Sequence, residues 1–165
     1  MIKLDYELKL NFNADKHIKK PVDNTLNRIS NLIRNEAENY IRENDIIDTE
    51  YLADHIVANN SQELRKIISA QTFYAVFVEK GTKPHYPPIE PIYNWVWRKK
   101  DKFGIVPKTK RTGKNGITYY KEIMDVAWKV VKKIGESGTD PKPFLSTALE
   151  EGKKNVVSIM KEEFK

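Results

Sequence analysis

Ile2-Lys3-Leu4-Asp5-Tyr6-Glu7-Leu8-Lys9-Leu10-Asn11-Phe12 alternates without a fault between apolar and polar side chains. Successive side chains of an extended chain point to opposite faces, so this stretch predicts a half-buried β-strand over 2–12. Asn13-Ala14-Asp15 breaks the strand and offers a helix N-cap. The period then changes. Ile18, Val22, Leu26, Ile29, Ile33, Ala37, Tyr40 and Ile41 recur mostly at three- and four-residue intervals, which is one face of an amphipathic helix over about 15–43. Pro21 falls near its start, where proline is tolerated best, and Asn44-Asp45 ends it. A period of two followed directly by a period of 3.6 sets the fold class. The chain is expected to be α+β, a small antiparallel β-sheet covered on one face by long amphipathic helices.

Further along, Asp48 caps a short helical turn through Asp54. His55–Ala58 and Leu64–Ser69 are β-rich, and Asn59-Asn60-Ser61-Gln62 between them predicts a hairpin turn, since asparagine tolerates left-handed backbone angles. Tyr74-Ala75-Val76-Phe77-Val78-Glu79-Lys80-Gly81-Thr82 is an apolar run that carries one acid and stops at glycine. Five adjacent nonpolar side chains are costly in water, so burial is expected for Val76 or Phe77 and for Val78. Glu79 is expected at the edge of that buried segment, bonded to the Gly81-Thr82 turn. Pro88 opens a helix that ends near Lys99-Lys100, residues 104–118 form a mobile loop or a loose hairpin turning at Gly113-Lys114-Asn115-Gly116, and a further helix from Tyr120 closes at Gly135. The last amphipathic helix starts at Phe144 or Leu145 and runs nearly to Phe164.

A length of 165 residues with 39% apolar and 32% charged content predicts one globular domain, 1–165, carrying a basic loop or arm at about 98–118. No run is long and apolar enough for a transmembrane helix, and the first residues do not form a signal peptide, so a soluble protein without membrane contact is expected. The chain has no cysteine, which removes disulfides, thiolate catalysis and cysteine-type zinc sites. His17, His55 and His85 are the only histidines and no two share ligand spacing, so no metal or cofactor site is expected. There is neither a nucleophile elbow nor a phosphate-binding glycine loop. Asp48, Glu50, Asp54 and Glu79 are the acids that a metal-dependent nuclease would need, but surface acids around a helical turn explain them better. No catalytic residue is assigned, and the chain is read as a non-enzyme.

Charge is the strong surface signal. Arg98, Lys99, Lys100, Lys102, Lys108, Lys110, Arg111 and Lys114 stand against Asp101 alone, so this segment carries +7 of a net +6 and the rest of the chain sums to −1. Tyr93, Trp95, Trp97 and Phe103 interleave with these cations. Basic residues among aromatics are the composition of single-strand nucleic-acid platforms. The plainer reading puts a tryptophan in the core and the lysines on a solvated loop. Six lysines to two arginines favour attraction to a phosphate backbone over bidentate base reading. A nucleic-acid-binding regulator using residues 93–114 is therefore one functional reading.

A second reading comes from an ordered set of short motifs. Asp48-Thr49 precedes Leu52 and Ile56. Tyr74-Ala75, Val78-Glu79 and Gly81-Thr82 follow, then Pro84, Pro88 and Trp95, and finally Gly138-Thr139 with Pro143-Phe144-Leu145 and Ala148-Leu149. In this order the chain resembles the bacteriophage head–tail joining family, the minor tail-component or tail-completion proteins of long-tailed phages, over about residues 48–160. The family pattern has glycine where this chain has Glu50. The resemblance implies a structural virion protein of the neck that assembles as a homo-oligomeric ring, a hexamer or dodecamer, between head and tail. Its implied partners are other neck proteins, head-completion and tail-terminator or tail-tube proteins, and the genomic DNA passing through the lumen. The implied location is the virion, and the bacterial host cytoplasm during assembly. The basic segment then lines the lumen or meets a neighbouring ring. Protein contact is slightly favoured, because a strongly cationic channel would grip DNA that must slide.

Overall fold

The computed structural model describes residues 4–9, 16–44, 46, 50–114 and 116–165. The elements in chain order are β1 (Leu4–Lys9), α1 (Lys16–Glu43), α2 (Tyr51–Asp54), β2 (Ile56–Gln62), β3 (Arg65–Ala70), α3 (Ala75–Lys80), α4 (Ile89–Arg98), β4 (Lys110–Thr112), β5 (Thr118–Tyr120), α5 (Lys121–Ser137) and α6 (Phe144–Glu163). They fall into two compact units, Met1–Lys80 with Pro141–Lys165, and Gly81–Asp140. The class is α+β, with a small antiparallel sheet packed against long helices.

In the larger unit β3 is the central strand of the order β1-β3-β2. Leu4 lies opposite Ala70 and Lys9 opposite Arg65, while β2 runs antiparallel on the other side with Ile56 opposite Ala70. One face carries Ile56, Lys66, Ile68 and Ala70, all buried. α1 covers it with Val22, Leu26, Ile29, Ile33, Ala37 and Ile41. Each fully buried isoleucine here contributes about 1.5–3 kcal/mol. Ile18, read as part of that face, is 42% exposed, because it lies in the first turn, ahead of the buried stripe that begins at Val22. α6 runs antiparallel to α1, with Gly152 against Ile33 at mid-length and Arg28 paired to Glu162 and Glu163 at the far end at 2.7 and 3.0 Å. A Cβ at Gly152 would sit 2.4 Å from Ile33 Cγ1, so glycine there allows the two helices to close.

Several sequence expectations are corrected. Asn59–Gln62 belongs to β2 and contains a bulge, and the reversal falls at Glu63-Leu64, where Leu64 takes φ 57°. That left-handed residue is held from outside the hairpin, its N–H donating to Asp23 Oδ1 at 2.8 Å. The run from Tyr74 is buried only in part, with Val76 and Val78 half-buried. It forms α3, and a six-residue helix hides only one stripe, so Ala75 and Glu79 are buried while Phe77 stays 51% and Phe73 73% exposed. α5 does not close at Gly135 but continues to Ser137, and Gly138 ends it with its N–H on Ile134 O at 2.8 Å. α2 is preceded by Glu50 at φ 58° as its N-cap. The strand expectation at Ile2, Leu10 and Phe12 and the caps expected at Asn13–Asp15 and Asp48 lie outside the described residues.

In the smaller unit α4 and α5 pack through Val96, Ile123 and Ala127. β4 and β5 pair antiparallel, Lys110 opposite Tyr120 and Thr112 opposite Thr118. The hairpin allowed for by the sequence thus forms, closed by Gly113 N–H on Ile117 O and by Gly116 at φ 77°.

Candidate functional site

The motif residues of the larger unit meet around one carboxylate. Glu79 is 4% exposed. Its Oε2 accepts the Leu145 N–H at 2.9 Å, and Oε1 accepts the Ser146 N–H at 3.0 Å and the Ser146 hydroxyl. These donors belong to the first turn of α6, where N–H groups have no partner within the helix and the dipole favours negative charge. The residue in the capping position is Pro143, which makes no side-chain cap bond, so Glu79 supplies the cap from a distant part of the chain. Burying a carboxylate without partners would cost several kcal/mol, and here three donors offset it. The Gly81-Thr82 turn expected to bind Glu79 does not. On the same segment Tyr74 O accepts the N–H of both Phe77 and Val78, and Val78 O accepts the Lys142 N–H at 2.8 Å. Phe144 and Leu145 are fully buried in the core, and Ala75 packs in the same cluster.

The motif residues of the smaller unit form a second pairing. Thr82 and Thr139 exchange both backbone hydrogen bonds at 3.1 and 3.2 Å, and their hydroxyls lie 3.0 Å apart. Gly138, at φ 74°, has no room for a side chain, since a Cβ would fall 1.9 Å from Thr82 O. Gly81 takes φ 69° at the start of this pairing. Past the exposed Pro84, the His85 N–H reaches Ile134 O at 3.3 Å, and Pro88 precedes α4. Trp95, half-buried, meets Phe103 edge-on with centroids 5.4 Å apart.

The acids considered for a nuclease do not converge. Glu50 and Asp54 both pair with Arg42, at 3.1 and 3.4 Å, and Glu79 is committed to α6. Asp48 lies outside the described residues. Among the described residues no three histidine or acidic side chains are grouped as a metal site would require.

The basic segment lies wholly in the smaller unit, which by sequence carries thirteen lysines and arginines against six acids, net +7. Four of these six acids are occupied locally. Asp101 lies 3.4 Å from Lys100, Asp125 pairs with Lys121 at 2.8 Å, and Glu136 lies 3.8 Å from Lys132. Glu122 accepts the backbone N–H groups of Lys108 and Thr109, and its hydrogen bonds with Thr109 lead in holding the carboxyl down to about 2. Lys108, Lys110, Arg111 and Lys114 are exposed and have no acidic partner among the described residues. The aromatics are partly engaged. Tyr93 Oη accepts the Tyr120 N–H, and Trp97 stacks on Tyr120 with Lys100 Nζ 5.5 Å from its ring.

Sequence reasoning missed one polar cluster. Lys66 is 1% exposed in the core face of β3, with Nζ 2.7 Å from Asp23 and 2.8 Å from Gln62 O. Burial alone would raise the Asp23 carboxyl, but hydrogen bonds from Lys66, the Leu64 N–H and Asn27 hold it below its ordinary range. The network closes the β2–β3 turn onto α1, a structural role. The inward facing of β3 was not legible, because Ile67 and Ile68 place an apolar residue on both faces. Among the described residues no helix is long and apolar enough to cross a membrane. Compared with protein-family models, with curated proteins and with solved structures, the chain matches none.

Proposed function

We propose that this chain is a structural component of a phage neck, a tail-completion protein that closes into a hexameric or dodecameric ring joining head to tail around the DNA channel. The observation that carries the reading is that both halves of the motif set are structural partners. Val78-Glu79 binds Lys142, Leu145 and Ser146, and Thr82 binds Thr139. A motif set spread in order over separate segments gains a physical reason when those segments hold each other in place. Glu50 supports the reading too. Where the family pattern has glycine, this residue adopts φ 58°, a conformation that glycine takes at least cost.

On this reading the protein works by assembly and has no catalytic step. A ring subunit needs two different complementary surfaces, because head-to-tail contacts close by rotation. Exposed Phe73 and Phe77 on one unit, and Tyr86, Val106 and Trp128 on the other, are apolar area available for such contacts. The partners would be neighbouring copies, the adjoining neck rings and the tail-tube or terminator proteins. The test is deletion of the gene in the phage that encodes it. Filled heads and unjoined tails are expected; normal numbers of complete tailed particles would end the reading. The competing regulator reading rests on the cationic segment and is separated by sequence preference, since a regulator must distinguish its site from random DNA.

A further inference from the structure

We infer that the β4–β5 hairpin is a contact for the phosphate backbone of duplex nucleic acid, without sequence preference. This goes beyond the neck reading and does not depend on it. The hairpin is a two-stranded ribbon whose tip closes on Gly113 and Gly116. Lys110 and Arg111 are consecutive in β4, so their side chains leave opposite faces of the ribbon. Lys108 and Lys114 flank them at its base and tip. A two-stranded ribbon fits the major groove of a duplex, where phosphates border it on both sides, and charge on both faces suits that setting.

Three observations favour phosphate over an acidic protein surface. These four cations have no acidic partner among the described residues, so binding breaks no ion pair. Glu122, the acid nearest in the hydrogen-bond pattern, is committed to the backbone at the foot of the hairpin and orders the ribbon. The exposed strand residues are Lys110, Arg111, Thr112 and Thr118, all donors, and the one large exposed apolar side chain between the two strands, Ile117, lies in the turn beyond them. Lysine is depleted from protein–protein interface cores, whereas lysine, arginine and threonine are the usual donors to phosphate oxygens.

Four contacts predict a shallow grip. Neutralising about four phosphates gives a log–log salt slope near −3.6, so binding weakens roughly 150-fold between 50 and 200 mM salt.

The test is fluorescence anisotropy with the full chain and a random-sequence duplex across that salt range. Changing Lys108, Lys110, Arg111 and Lys114 together to Gln should make the slope shallower by about 3.6, and Arg111→Gln alone by about 0.9. A control with the same charge loss on the larger unit, Lys19, Lys20, Lys153 and Lys154 to Gln, should keep the slope within about one of the parent's. Absence of binding at 50 mM salt, or equal loss in the control, overturns the inference. So does a duplex that competes by its sequence, or binding by polyglutamate but not by the duplex, which would point to an acidic protein instead. Ring formation and particle assembly are scored separately, so the neck reading can fail while this one stands.

Discussion

Among the described residues the larger unit gathers thirteen buried apolar residues in one cluster, while the smaller gathers three. By sequence the larger unit carries −1 and the smaller +7. The first therefore rests mainly on apolar area, with single polar groups such as Glu79 and Lys66 fixing where its helices and turns lie. The second has little core to spare and relies on local polar clamps: Thr82 with Thr139, Glu122 on the Lys108–Thr109 backbone, and Tyr93 on Tyr120. What the smaller unit gives up in burial it presents as charge. The difference places most of the apolar burial in one part of the chain and the net positive charge in the other.

The comparison can be broken most easily at its clamps. Gly138→Val faces both a forbidden close approach to Thr82 O and a left-handed backbone, so a loss of about 3 kcal/mol or more is expected. Chemical denaturation checks this, and hydrogen exchange should show the loss concentrated in residues 81–140. Glu79→Gln keeps one acceptor but turns an amide donor toward the α6 amides, at a cost of about 2–3 kcal/mol. Here exchange at Leu145 and Ser146 should rise while the hairpin amides stay as they were. If both substitutions lowered protection equally throughout the chain, the division of roles would be wrong.

A smaller effect separates the units by pH. The Glu122 carboxyl is lowered from 4.5 to about 2, and a depressed carboxyl adds stability above its unfolded value that is lost as pH falls toward the folded one. Protection of the Lys108 and Thr109 amides should thus hold down to about pH 4.5 and decline toward pH 2, and Glu122→Gln should abolish that dependence. The smallest change is at Glu50→Gly. Relief of the left-handed backbone, about 1 kcal/mol, is set against the loss of an exposed, solvent-screened ion pair to Arg42. Thermal melting should show a shift of a few degrees at most, upward or near zero.

How much could be read beforehand follows the same division. The alternation in β1 and the stripe of α1 gave class and core, because a period reports a face directly. The bounds of α4 and α6 were close for the same reason. The apolar run at Tyr74 had no period, so its helix and the exposure of Phe77 were hidden. Glu79 finds its donors 66 residues away, a pairing that no local pattern carries. The left-handed Leu64 depends on Asp23 in another element, which drew the expected turn to the asparagines instead. The cationic segment was plain from composition, but its form as a ribbon with uncommitted charge depended on where Glu122 and the other acids fell.

The proposed assembly in a phage neck is tested most directly on purified virions. Quantitative mass spectrometry with cryo-electron microscopy of the head–tail junction should find six or twelve copies per virion, arranged as one ring around the channel. A chain absent from particles and strictly monomeric in solution would contradict the account.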